Sequence, residues 1–187
     1  MAVHPFGRRA CSVRWRKALL RANAALGLAV VFVTVLSIGD SVAGPYEDAV
    51  AADREKDYAK ALMLLRPLAD EGDARAQYSL GLLYEHGRGV APDDMEASEW
   101  YRKSAEQGYG RAEYKLGINY AHGAGVPVDY VRAYMWMSLA VKNLPTSDVG
   151  ARAEARDVQE LFATRMTQDQ IKSAQNLASK WRPKQPN

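Results

Sequence analysis

His86 and His122 are the two histidines outside the amino-terminal leader, and imidazole is the side chain best suited to proton transfer or metal ligation near neutral pH. They stand 36 residues apart. If they faced each other across adjacent helices they would offer a two-histidine metal or proton site. No acidic or cysteine ligand lies at a helpful spacing, and zinc takes three or four protein ligands. Each histidine falls in the last turn of an expected helix, where a partly cationic ring meets the negative end of the helix dipole. The structural role is the one the spacing favours. Asp93, Asp94, Glu96 and Glu99 read as helix caps and solvated faces, and paired carboxylates do acid–base work only within a concave pocket. The glycines of Gly87–Val90 lack phosphate-loop spacing, and no Ser-x-x-Lys motif is present. The expectation is a protein without catalytic residues, cofactor or metal.

The interval between the histidines is a period of the chain. Shifted by 36, Arg75, Ala76, Tyr78, Leu80, Gly81, Tyr84 and His86 fall on Arg111, Ala112, Tyr114, Leu116, Gly117, Tyr120 and His122. Gly87, Gly89, Val90, Asp93, Ala97 and Trp100 fall likewise on Gly123, Gly125, Val126, Asp129, Ala133 and Trp136. Matches at one offset mark stacked units, each too small to bury its own apolar face.

Ahead of the repeats, Arg8, Arg9, Arg14, Arg16, Lys17 and Arg21 precede an apolar run from Ala22 to Ile38, and Ser41-Val42-Ala43 supplies small residues for a signal peptidase. Residues 1–43 are read as a signal peptide cut between Ala43 and Gly44. Arg8-Arg9 is a twin-arginine pair, but Ala10-Cys11-Ser12 fits that export pattern poorly, so general secretion is expected. The competing reading is an uncleaved inner-membrane anchor, since about 17 apolar residues are at the lower edge of what spans a bilayer. The whole chain has 25 Lys+Arg against 22 Asp+Glu; without the leader the balance is 19 against 21. Nucleic-acid binding needs a basic face, and the mature composition offers no such excess. Cys11, the one cysteine, lies in the leader, which leaves the remainder without disulfide or thiolate chemistry.

Helical periodicity runs through the mature part. Helices are expected over Tyr46–Lys56 and Tyr58–Glu71, the latter with Pro67 kinking it or crowding its preceding turn. The first full repeat pairs a helix over Ala74–His86 with a second capped by Asp93, Glu96 completing a capping box. The second repeat, about Gly110–Lys142, copies this plan. A helix over Asp148–Ala163 offers Val158, Leu161 and Phe162 for burial. Thr167 with Gln170 reads as a capping box for a last helix burying Ile171, Ala174, Leu177, Ala178 and Trp181, and Lys184–Asn187 as a disordered tail. The segments are thus 1–43, a half-repeat 44–72, repeats 73–108 and 109–144, a capping pair 145–182 and a tail 183–187.

The pattern Ala76-x-Tyr78-x-Leu80-Gly81-x-x-Tyr84-x-x-Gly87-x-Gly89-Val90, followed by Asp93, Ala97, Trp100-Tyr101 and Ala105-x-Gln107-Gly108, resembles the Sel-one-like repeat (SLR), a tetratricopeptide-like helix–turn–helix module. The second copy keeps it as far as Trp136, then has Met137 where Tyr101 stood. The resemblance covers about Tyr46–Arg182. It implies an all-α fold, an α-solenoid of about eight helices after the signal peptide in a right-handed superhelix, that binds other proteins. By analogy with related solenoids, the first helix of each repeat would line a groove, with Arg75, Tyr78, Leu82, Glu85 and His86 continued by Arg111, Tyr114, Ile118, Asn119 and His122. Tyrosines beside arginines suit a peptide or protein loop; equally, Tyr78 and Tyr114 would serve as packing between helices. The expected function is an exported interaction module, periplasmic or secreted, with a protein or peptide partner and no nucleic acid. It would meet the membrane only if the leader stays uncleaved. The alternative is a cell-envelope enzyme acting on β-lactam or peptidoglycan-like substrates. Cysteine-rich secreted relatives have been linked to β-lactams, but their disulfide pairs are absent here.

Overall fold

Aspartates written just ahead of five of the eight helices among the described residues set where those helices begin. The structure, a computed structural model, describes residues 44–184, so the expected leader, its cut after Ala43 and the last three residues lie outside the described residues. Eight helices and no strand occur among them: α1 (Pro45–Arg54), α2 (Tyr58–Asp70), α3 (Ala74–His86), α4 (Asp94–Glu106), α5 (Gly110–His122), α6 (Tyr130–Asn143), α7 (Val149–Ala163) and α8 (Gln168–Lys180). Asp57, Asp73, Asp93, Asp129 and Asp148 each accept one or two backbone N–H groups of the following turn. Such a cap contributes about 1 kcal/mol. Thr167 and Gln170 form the expected reciprocal box. The start of α5 departs from the pattern: Tyr109 stands 36 residues after Asp73 and gives no side-chain cap.

Glu96 does not complete a capping box. The backbone N–H it would have reached is already taken, because Asp93 donates to the Tyr84 carbonyl at 3.0 Å. Asp129 repeats this bond to Tyr120 at 2.9 Å, which explains why Arg132 can stand where Glu96 stood. The bond ties the end of each first helix to the start of its second. Gly87 and Gly123 turn the chain between them in the left-handed region, φ 63° and 75°. Pro67 leaves α2 continuous to Asp70. The carbonyl that loses its N–H partner is that of Met63, an exposed residue where water can replace it.

Each helix packs on the next from α1 to α7, and α8 returns to α6, an all-α solenoid of helical repeats. Among the described residues no helix is long and apolar enough to cross a membrane. One apolar cluster joins α1, α2 and α3 to Trp100; the other runs from Ala97 and Tyr101 through α5 and α6 to Phe162 and Ala174. Tyr84 packs against both. Leu161 and Leu177, expected inside, are exposed, since α7 and α8 bury only Ala155, Phe162 and Ala174 fully. Trp181 follows α8 rather than ending it and meets Trp136 edge-on at 5.9 Å. Lys184, expected in the tail, is held by Glu106: its N–H meets the Glu106 carbonyl at 2.7 Å and its ammonium the carboxylate at 2.6 Å.

Gly81 and Gly117 are buried in helix interiors where a neighbour comes close. A Cβ on Gly81 would lie 2.6 Å from the Tyr101 ring, whereas on Gly117 it would lie 3.2 Å from the Ala133 carbonyl and 3.3 Å from the end of Met137. A helix-interior glycine otherwise costs about 1 kcal/mol relative to alanine. Gly81→Ala should therefore destabilise by about 1–3 kcal/mol through overpacking, while Gly117→Ala, facing a methionine that can yield, should be near neutral. Urea unfolding of the two variants checks this; equal effects would contradict it.

Candidate functional site

Tyr78 on α3 and Tyr114 on α5 hold equivalent places and do different things. The half-buried Tyr78 ring packs 5.4 Å from Tyr109 and 5.8 Å from Tyr101, and burial raises its hydroxyl pKa. The Tyr114 hydroxyl donates to Glu154 of α7 at 2.8 Å; burial and that carboxylate push its pKa to about 12. Both tyrosines thus pack between elements and still line a pocket. That pocket holds about 210 Å³, floored by Leu144 and Ala151 and rimmed by Arg111, Lys115 and Glu154. Arg111 reaches Asp148, the α7 cap, at 3.4 Å. The groove therefore crosses α3 and α5, the first helices of the two repeats, and α7, the helix that follows them.

Of the residues expected to line one groove, Tyr78, Arg111 and Tyr114 come together here. Arg75 is turned toward α1, paired with Asp73 at 2.9 Å and Glu47 at 3.4 Å and lying 4.3 Å over the Tyr46 ring. Leu82 lines a separate crevice of about 50 Å³ with Ala49, Asp53 and Arg88. Ile118 is half-buried against the core. Exposed at their helix ends are His86 and His122, the latter with Nδ1 3.0 Å from the Ile118 carbonyl. No group of three His, Cys, Asp or Glu residues able to hold a metal ion is found among the described residues.

Asn119 is a correction. It is buried and donates to Ser98 Oγ at 2.7 Å; Ser98 in turn donates to the Ala124 carbonyl at 2.7 Å. This amide fastens the turn after α5 onto α4, so it does not face the groove. Glu85 is likewise engaged inside the stack. The buried Tyr101 hydroxyl donates to it, and Lys115 reaches its two oxygens at 2.8 and 3.1 Å. Burial opposes ionisation of Glu85, but Lys115 and Tyr101 outweigh it and hold the pKa below the ordinary 4.5. Burial first, then the hydrogen bond to Glu85 and that carboxylate's charge, raise the Tyr101 hydroxyl far above its usual range.

The pocket residues of α7 and its approach, Leu144, Asp148, Ala151 and Glu154, escape the repeat register because identity ends at Trp136. The usable signal was the spacing of helix starts, Ala74, Gly110 and Val149, which places a third first-helix beside α5.

The family model described as Sel1 repeat matches residues 51–73, 74–109 and 110–143. A search of curated proteins finds no match. Among solved structures, a protective antigen present in uropathogenic Escherichia coli strains and displaying an SLR fold is 31% identical, with a TM-score of 0.66 over 78% of this chain and 30% of that one. A Sel1 repeat protein from Oxalobacter formigenes is also 31% identical, with a TM-score of 0.51 over 54% of this chain and 40% of that one. The chain thus spans less than half the length of either protein.

Glu85 predicts its own pH behaviour. A carboxylate with a lowered folded pKa adds stability above 4.5 that is lost as pH falls through the folded value. Lys115→Met should destabilise by about 1–3 kcal/mol at neutral pH and flatten the loss of stability in acid. Urea unfolding near pH 7 and near pH 3 measures both; a deficit as large in acid as at neutrality would contradict the role given to this pair.

Proposed function

Because the chain is a Sel1-like repeat protein, of a class that is generally a protein-interaction scaffold and typically non-catalytic, we propose that it is an exported module offering a short groove to a peptide or protein loop. The observation that carries this reading is the pocket shared by α3, α5 and α7. Its volume of about 210 Å³ falls below the roughly 300–1,000 Å³ of small-molecule sites and suits one large side chain of a partner. The tyrosine rings, Leu144 and Ala151 supply the apolar contact, and Arg111, Lys115 and Glu154 supply a polar rim. Aromatic and arginine anchors around a desolvated centre are the features that concentrate binding energy in protein interfaces. Export is supported by the basic leader, the apolar run and Ser41-Val42-Ala43; regulation of a cell-envelope complex is the setting that follows.

Ala151 is the place to test this, because it is a half-buried small residue lining the pocket, where a long charged side chain would compete with a partner for the space. Protein recovered from the periplasmic fraction should begin at Gly44. Crosslinking in envelope extract should then capture a partner whose yield drops at least about tenfold with Ala151→Arg, the helical circular dichroism being unchanged. An identical partner set captured by the folded variant would contradict the groove, and turnover of a chromogenic β-lactam by the purified wild type would favour an enzyme instead.

A further inference from the structure

Gln77 and Glu113 hold the same position in the two repeats, and each lies where three helices meet. Gln77 Nε2 donates to the Ala69 carbonyl of α2 at 3.0 Å, and its Oε1 accepts from Gln107 Nε2, just past α4, at 2.8 Å. The amide therefore stitches one hairpin to the helix before it. One period later, Glu113 Oε1 accepts from Asn143 Nδ2 at the end of α6, again at 2.8 Å. Asn143 stands 36 residues after Gln107, so this half of the stitch is kept.

The other half has changed chemistry. Glu113 Oε2 replaces the donor Nε2, and it has no hydrogen-bond partner although the residue is fully buried. The carbonyl equivalent to that of Ala69 belongs to Ala105, and it is an acceptor. Two oxygen acceptors bond only through a proton. An ionised carboxylate with a buried, unpaired oxygen is strongly disfavoured.

We propose that Glu113 is held as the neutral acid, its Oε2–H donating to the Ala105 carbonyl as Gln77 donates to Ala69, and that its ionisation loosens the α4–α5–α6 junction as pH rises. The surroundings agree: burial pushes the acid up to about 8 against the pull of the Asn143 hydrogen bond and of Lys142. Lys142 on α6 is the charge whose field acts on it; on α4, Lys103 lies over the Trp100 ring at 3.8 Å and Glu106 is bound by Lys184. Asn143, the hydrogen-bond partner of Glu113, also borders an open cleft of about 650 Å³ with Lys142 and Arg182. Because α5 carries Arg111 and Tyr114 as well as Glu113, the same proton tunes the groove.

The sign follows from linkage. Below the ordinary 4.5 the acid is protonated in folded and unfolded chains alike; between 4.5 and about 8 only the folded chain keeps the proton, so stability falls across that window as pH rises. Urea midpoints measured near pH 5, 7 and 9 should fall by about 2 M in all in the wild type. Glu113→Gln, which restores a donor, should keep its midpoint over this range, and Gln77→Glu should fall more steeply than wild type. Carbon-13 titration of the Glu113 carboxyl in the wild type, which needs no variant to fold, should give a midpoint near 8. A midpoint near 4.5, or a Glu113→Gln protein with the full wild-type pH slope, would overturn the proposal.

Discussion

Neighbouring helices in this chain approach so closely that much of their shared face must be glycine and alanine. A Cβ on Gly81 would collide with the Tyr101 ring, one on Gly117 would be a tight fit, and Ala76, Ala97, Ala105, Ala112, Ala133 and Ala140 are all essentially inaccessible to solvent. Small residues let two backbones come together but bury little apolar area each. The area that stabilises the stack has to come from a few large side chains reaching across, chiefly Trp100, Tyr101, Leu116, Trp136 and Met137. Trp100, Tyr101 and Trp136 do not finish their packing within their own hairpins. Trp100 belongs with α1–α3, while Trp136 meets Trp181 beyond α8. Stability is therefore a property of adjacent units rather than of any one.

Onto that shared backbone the two repeats place different chemistry. Tyr101 becomes Met137, and with the hydroxyl goes the need for a partner such as Glu85 and Lys115. Gln77 becomes Glu113, turning an amide stitch into an acid that needs a proton. Asp73 becomes Tyr109, which gives up a cap and packs its ring at a tilt against Tyr78 instead. Tyr101 and Tyr109 both back the Tyr78 ring, and Glu85 holds Lys115, so the pocket across α3, α5 and α7 has unlike walls although the fold beneath it is repeated.

The elements were legible because their signals are local. Asp93, Asp129 and Thr167 cap as their sequence context predicts, Gly87 and Gly123 turn left-handed, and α3 runs over the residues expected of it. The misreadings share a cause, competition from a partner distant in sequence. Glu96 lost its donor to the Tyr84 carbonyl, Asn119 was drawn inward by Ser98, and Lys184 was fixed by Glu106. Leu161 and Leu177 fit a helical stripe, yet α7 and α8 each lie against α6 through one narrow face, and a stripe does not say how wide its contact will be. Of the groove, the repeated tyrosines and Arg111 were readable from the period. The contribution of α7 was not, since it lies beyond the last repeated residue.

The interdependence of the hairpins is most directly read by native-state hydrogen exchange on the folded protein. If no hairpin has a sufficient core of its own, the slowest amides of α3, α4, α5 and α6 should open with one common free energy, above that of the terminal α1 and α8. Separate and unequal opening free energies for α3–α4 and α5–α6 would contradict the account.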